Sequence, residues 1–279
     1  MPPNAASEER VIRVMAEIEI PWRAPLDWDH LSAFLGRRAI PGVESSDGDG
    51  YLREGIRVRC DGQRRVLVVT AARKLLTETA STRIRRLFDV GADTPAIAAK
   101  LGRDPMLRTL LERHRGIRVP GAWDPFEIVI RAIVGQQVSV AAARSIAGTI
   151  AETHGERTSH GLSFPTAERL ASSALALGMP RRRLESIRAV SKAVASGSFL
   201  LERRPTLVET IAALEELPGI GPWSANYIAM RAFREADAFP AGDLILRRNA
   251  GGLTEKDLTR RAERWRPYRA YAAMLLWAK

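Results

Sequence analysis

"LPGIGPWSANYIAMRAF", Leu217 to Phe233, packs Pro218, Gly219, Gly221 and Pro222 into one tight turn and runs straight into an apolar-periodic stretch. The segment before it, "TLVETIAALEEL" from Thr206 to Leu217, has helical periodicity too. The reading is a helical hairpin over residues 206–233, with Pro222 at a tolerated first-turn position. Gly219 and Gly221 have no Cβ, so the backbone can approach a ligand closely there. The second helix points free amides and the positive end of its dipole out of the turn. An anion suits that place, and a DNA phosphate is the common one; such a contact fixes register and reads no base. The plain alternative is an ordinary connection between helices. Just past the turn, Trp223 and Tyr227 lie one helical turn apart.

Composition narrows the partners. The 279 residues carry a net charge of +11, and 46% are apolar. A core can form, and the basic excess attracts polyanions. Arginines cluster at 83–86, 181–183, 247–248 and 260–261; each run also suits a solvated face. Cys60, the one cysteine, sits in an alternating apolar pattern as a small core residue. One cysteine excludes an internal disulfide and an iron–sulfur cluster, and fits a reducing, intracellular location. No apolar run approaches membrane-spanning length, and "MPPNAASEER" has no apolar signal core. Residues 1–10 read as a disordered lead.

The periodicity changes along the chain. "VIRVMAEIEI", 11–20, alternates as a half-buried strand, and "DWDHLSAFLGRRA", 27–39, is a helix. "SSDGDG" reads as a loop, and "GIRVRC", Asp61-Gly62 and "QRRVLVVT" as an antiparallel hairpin. After residue 72 strands vanish. "DPFEIVIRAIVGQQVSVAAARSIAGTIAETHG" is a long helix or helix pair with Asp124 as N-cap, Gly135 in mid-pattern and Gly155 at the end. "TAERLASSALALG", "PRRRLESIRAVSKAVASG", "LTEKDLTRRAERW" and "PYRAYAAMLLWAK" continue the helices. The expectation is an α+β fold: an antiparallel sheet domain with helices over 11–80, then an all-α body over 81–279.

"DAFPAGDLILRR" follows the hairpin. Asp243 stands after a Pro–Ala–Gly bend, about 20 residues past the turn, at the start of a short helical run. Alone, an Asp there is a helix N-cap.

Hairpin, helix, Pro-containing loop and single Asp together resemble the helix–hairpin–helix/Gly-Pro-Asp DNA glycosylase superfamily. Within it, the chain is similar to the 3-methyladenine DNA glycosylase II (AlkA-like) type. "DWDHLSAFLGRRAIPGVE", "RLFDVGADTPAIAAKLG", Arg118-Val119-Pro120-Gly121, "FPTAERLA", "LGMPRRRLESI" and "AERWRPYRAYAAMLLW" follow in the family's order. The resemblance covers almost the whole chain from about residue 15. It implies a helical body with the active-site cleft between its subdomains, acting as a monomer on double-stranded DNA with alkylated bases. The setting it implies is the bacterial cytoplasm, with the nucleoid.

The family flips the damaged nucleotide out of the duplex and cleaves its N-glycosidic bond. The resemblance makes Asp243 the catalytic carboxylate, stabilising an oxocarbenium-like sugar or activating water. It places Trp223, Tyr227, Trp277 and Phe34 at the cleft, where stacked aromatics favour electron-poor bases. It assigns Gln136 and Gln137 to the substrate side, and Gly219, Ile220, Gly221, Ser224 and Arg247 to DNA. No catalytic cofactor is implied; Na⁺ or K⁺ on the carbonyls of Leu217, Gly219 and Ile220 is. Bifunctional relatives carry a Lys nucleophile where this chain has Trp223, so monofunctional chemistry is implied. Two positions depart from the pattern: Gln137 stands where a relative has a leucine wedge, and two residues follow Trp277. A glycosylase for hypoxanthine or oxidised purines, and a non-catalytic hairpin module, remain as alternatives. Asp243 argues against the module, because a carboxylate in a phosphate-binding groove repels DNA.

Overall fold

The computed structural model describes residues 15–175 and 177–279. The lead read at 1–10 and the start of the first strand lie outside the described residues. β1 (Met15–Pro21) turns Ala16, Ile18 and Ile20 inward and Glu17 and Glu19 outward, as its alternation predicts. α1 (Trp28–Arg38) is N-capped by Asp27, whose side chain takes the His30 amide.

Two details of the sheet differ from expectation. "SSDGDG" is no loop: β2 (Glu44–Asp47) and β3 (Gly50–Arg53) pair antiparallel across it. The Ser46 hydroxyl lies 3.0 Å from the Ser32 hydroxyl of α1, so a polar edge strand is held without apolar alternation. β4 (Ile56–Asp61) and β5 (Val66–Ala72) do pair, but Asp61 lies opposite Val66, so the loop has four residues, Gly62–Arg65. The Asp61 carboxylate takes the Arg64 amide at 2.9 Å and shapes that wider turn.

The strand order is β1-β5-β4-β3-β2. One face buries Ile20, Tyr51, Val58, Leu67 and Val69 against Leu31 and Leu35 of α1 and Ile84 and Leu87 of α2 (Glu78–Leu87). The other face carries the exposed side chains of Arg57, Arg59, Glu17 and Glu19. The sheet's core continues past residue 80 to Phe88, Val90 and Trp123. Cys60 is half-buried against it, and burial pushes its thiol up to about 11, away from reactive thiolate.

The body is helical. α3 (Thr94–Leu101), α4 (Pro105–Arg113), α5 (Pro125–Val134) and α6 (Val140–His154) start at Asp93, Asp104, Asp124 and Ser139, and each of these side chains takes a backbone amide. Gly135 is the C-cap of α5, so "DPFEIVIRAIVGQQ…" is a helix pair. Strands do not vanish altogether: β6 (Arg157–Thr158) and β7 (Gly161–Leu162) make a minimal hairpin, too short for any alternation. α7 (Ala167–Ser172) stops well before Gly178, where the sequence pattern ran on. α8 (Arg181–Ala195) precedes α9 (Leu207–Glu215), which opens on a Thr206/Glu209 capping box. α10 (Pro222–Ala232), α11 (Leu244–Asn249), α12 (Glu255–Ala262) and α13 (Arg269–Ala278) complete the chain. α10 packs on α5 and α9, and α13 on α4 and α11. Val129, Ile130, Ile228, Met274 and Leu275 are fully buried among them.

Ions join sheet and body. Arg53 of β3 meets Glu127 of α5 at 2.5 Å, and Arg131 reaches Glu44 of β2 at 3.1 Å. Burial alone would raise the Glu127 carboxyl, but Arg53 and Arg131 outweigh it and hold the group low. The buried Arg118 guanidinium donates to the carbonyls of Asp89, Ala92 and Pro25. Among the described residues no helix is long and apolar enough to cross a membrane.

Candidate active site

The bend Pro240–Gly242 delivers Asp243 to the start of α11, its amide bonded to the Pro240 carbonyl at 2.9 Å. Oδ1 accepts the Ile245 and Leu246 amides, both at 2.9 Å, which is ordinary N-capping. Two indoles then add what a cap does not need. Trp277 Nε1 donates to Oδ1 at 3.1 Å, and Trp223 Nε1 to Oδ2 at 3.0 Å. All four partners are donors, the company an ionised carboxylate fits. The indoles come from α13 and α10, so the tertiary fold aims this group.

The aromatic wall is continuous. Trp223 stacks on Tyr227 with centroids 5.4 Å apart and planes 6° apart. Tyr227 meets Trp277 edge-on at 6.3 Å. The structure therefore brings Trp223, Tyr227, Trp277 and Asp243 together. Behind the wall lie cations. Arg231 Nη1 donates to the Tyr227 hydroxyl at 2.8 Å, and the rest of its fork goes to the carbonyls of Pro120 and Gly121. Burial alone would raise the Tyr227 phenol, but Arg231, Arg38 and Arg131 outweigh it and hold it below its usual range.

Phe34 departs from expectation. It is 1% exposed, with the Arg38 guanidinium carbon 3.7 Å from its ring centroid and that of Arg231 at 5.0 Å. The ring offers no open face to a ligand, because the last-turn arginine of α1 folds back over it.

The hairpin's two glycines differ in kind. Gly219 has φ +84°, and a Cβ there would meet the Ser186 hydroxyl at 2.3 Å, so both backbone and packing demand glycine. Gly221 is extended and faces open space. Ile220 is buried, with its amide on the Leu217 carbonyl at 3.0 Å. α10 begins at Gly221 with no side-chain cap, leaving its first amides open. The Ser224 hydroxyl is buried under Gln136, whose amide donates to it at 3.1 Å and to the Gly219 carbonyl at 2.8 Å. Gln136 thus binds the hairpin instead of facing the aromatics. Gln137, at φ +57°, is exposed at the turn beside exposed Val138 and Val140. Arg247 is half-buried with Nε on the Leu253 carbonyl at 3.1 Å, and Arg248 is exposed. Among the described residues no trio of His, Cys, Asp or Glu is placed to hold a metal ion.

Sequence reasoning missed three features: Arg38 over Phe34, Arg231 behind Tyr227, and the indole–carboxylate bonds, which span 20 and 34 residues. The run "GRRA" carries no local mark of where Arg38 lies.

The chain matches the AlkA N-terminal domain model over residues 17–124. It matches the HhH-GPD superfamily base excision DNA repair protein model over 130–264. DNA-3-methyladenine glycosylase 2 of Escherichia coli K12 is 32% identical, over 92% of this chain and 95% of that protein. A probable bifunctional transcriptional activator/DNA repair enzyme AlkA of Mycobacterium tuberculosis is 36% identical over 93% of this chain, which spans only 56% of that relative's length. The solved 3-methyladenine DNA glycosylase of Archaeoglobus fulgidus shares the fold, with a TM-score of 0.79 at 20% identity over 94% of this chain and 97% of that one. The chain belongs to the DNA-3-methyladenine glycosylase 2 (AlkA) family, within the HhH-GPD superfamily of base excision DNA repair proteins.

Proposed function

We propose that this chain is a monofunctional DNA N-glycosylase that flips an alkylated purine of the 3-methyladenine type out of duplex DNA and hydrolyses its N-glycosidic bond. One observation carries the reading: the Asp243 carboxylate is gripped by the indoles of Trp223 and Trp277 within an aromatic wall. An N-cap needs neither indole, and a pure binding surface has no use for an oriented carboxylate.

The alkylated base leaves readily because it is already electron-poor, and the aromatic wall favours such a ring. Positive charge then grows on the sugar, and the oriented Asp243 carboxylate stabilises it. Three of its four donors sit on Oδ1, so Oδ2 is the oxygen with capacity to spare. That oxygen can face the cationic sugar or the attacking water. Trp223 stands where an amine nucleophile would be needed, so no Schiff base forms.

The open amides at the start of α10, around Gly219, Ile220, Gly221 and Ser224, take a DNA phosphate, and Arg247 and Arg248 add charge nearby. The carbonyls of Leu217 and Gly219 each already accept one N–H and keep a second lone pair. Together with Ile220 they suit a Na⁺ or K⁺ bridging to that phosphate, and no chemical step runs through the ion. The protein acts as a monomer in the cytoplasm, on nucleoid DNA, with no catalytic cofactor.

Release of free bases from methylated duplex DNA, wild type beside Asp243→Asn, tests this. Asn still caps a helix, so the fold survives. The expected result is 3-methyladenine release by wild type and a loss of at least about a hundredfold in the variant, with abasic-duplex binding retained. Release by neither protein, or parallel loss of binding and release in the variant, counts against the reading.

A further inference from the structure

α11 does more than carry Asp243. It is six residues long, Leu244–Asn249, and starts at the Asp243 cap. Asp243, Leu246 and Asn249 recur every three residues, so they share one face of the helix. α11 packs on α13, with Leu246 fully buried. From its last residue, Nδ2 of Asn249 donates to the Leu276 carbonyl of α13 at 2.7 Å. Lys279 Nζ returns to the Asn249 carbonyl at 3.0 Å. The last carbonyls of a helix have no partner within it, and helix ends fray. Asn249 supplies such a partner from another helix, 27 residues away. The carbonyl it takes belongs to the residue before Trp277, whose Nε1 holds Asp243 Oδ1 at 3.1 Å. The other indole needs no such help, because Trp223 follows Pro222 at the start of α10. One short helix therefore fixes both sides of a single contact. Its N-cap is the carboxylate, and its last residue holds the backbone beside the indole.

We infer that Asn249 is a positioning residue for base release: its amide pins the last turn of α13 so that the Trp277 indole stays on the Asp243 carboxylate. The inference rests on the glycosylase reading. Asn249 lies at the far end of α11 from Asp243 and acts only through Trp277. Without its N–H donor the Leu276 carbonyl turns to water and the last turn of α13 loosens. The indole then leaves Oδ1 for part of the time, and the carboxylate keeps its two capping amides and Trp223. Those contacts preserve the fold, but a wandering carboxylate stabilises the sugar cation less, because electrostatic help depends on groups fixed in advance. Mere satisfaction of a helix end would stabilise the protein and leave the rate of the folded enzyme untouched.

The test measures single-turnover release of 3-methyladenine from methylated duplex with saturating enzyme, where the rate constant does not depend on how much of a variant is folded. Asn249→Ala removes the donor and keeps a good helix former. Asn249→Leu restores the volume without the donor. Each is made in wild type and in Trp277→Phe. Both should slow release about fivefold in wild type, the net worth of one neutral hydrogen bond, with binding of abasic duplex unchanged. In Trp277→Phe, which has no indole donor left to position, neither should slow release further. A wild-type rate in Asn249→Ala, recovery of the rate in Asn249→Leu, or the same fivefold loss in both backgrounds overturns the inference and leaves the glycosylase reading standing. Wild type that releases no base overturns both.

Discussion

The side-chain amide of Gln136 donates to the carbonyl of Gly219 across 2.8 Å, joining the α5–α6 turn to the helical hairpin 83 residues later. Exposed Gln137, Val138 and Val140 are thereby held beside the open amides of α10. In the proposed reading, Gln137 and the phosphate-binding hairpin then form one surface. Replacing Gln136 by Leu should leave the melting temperature within a few degrees, because the bond is near solvent, but raise amide hydrogen exchange through residues 217–224. Mass-spectrometric exchange with and without abasic duplex checks this; equal protection in both proteins removes Gln136 from the clamp.

The indole–carboxylate bonds predict a separable contribution to rate. Trp277→Phe keeps a ring in the wall and deletes the donor 3.1 Å from Asp243. A hydrogen bond to a charged group is worth about 1.5–3 kcal/mol, so single-turnover base release should slow by roughly ten- to a hundredfold with substrate binding little changed. Trp223→Phe should behave alike, and the double variant should lose less than the product of the two, since both donors hold one group. Wild-type rates in both single variants would mean that the capping amides alone orient Asp243.

The two hairpin glycines should fail differently. Gly219→Ala forces a side chain into a positive φ and against Ser186, a cost of about 1–3 kcal/mol, and should lower the urea midpoint. Gly221→Asp meets open space, so stability should hold while DNA binding weakens on every sequence and its salt dependence flattens by about one phosphate contact. Equal destabilisation by both variants would assign Gly221 a packing role instead.

His30 predicts acid sensitivity. Its pKa is lowered from 6.5 to about 4, first by burial and then by His114, Arg37 and Arg38, against the pull of Asp27. The ring lies edge-on to His114 at 4.9 Å, and its buried Nε2 has no partner among the described residues. Between these two pH values the unfolded chain binds the proton and the folded one does not, so stability falls as pH drops through that window. Urea midpoints at pH 7 and pH 5 should differ less in His30→Phe than in wild type. Identical pH slopes would place the sensitivity elsewhere.

Local features of the fold were legible because their causes are local. The caps at Asp27, Asp93, Asp104, Asp124 and Thr206 mark helix starts through the residue types that take backbone amides. The β1 and β4 alternation marks the sheet. β2 was not legible, because its Ser46 is held by polar bonds to Ser32 of α1 and the strand shows no apolar period. The Gly62–Arg65 loop was misjudged because an Asp-Gly pair signals a two-residue turn unless the Asp side chain rebuilds it.

The sequence by itself determined the family, the hairpin, Asp243 and the three aromatics, since each is carried by residue type at short spacing. The tertiary structure decided what those residues face. It set two indoles on one carboxylate, gave Gly219 and Gly221 different reasons to be glycine, turned Gln136 onto the hairpin, and laid Arg38 over Phe34. These are relations between side chains from separate helices. Their distances follow from how α1, α5, α10 and α13 pack, and no local spacing along the chain encodes them.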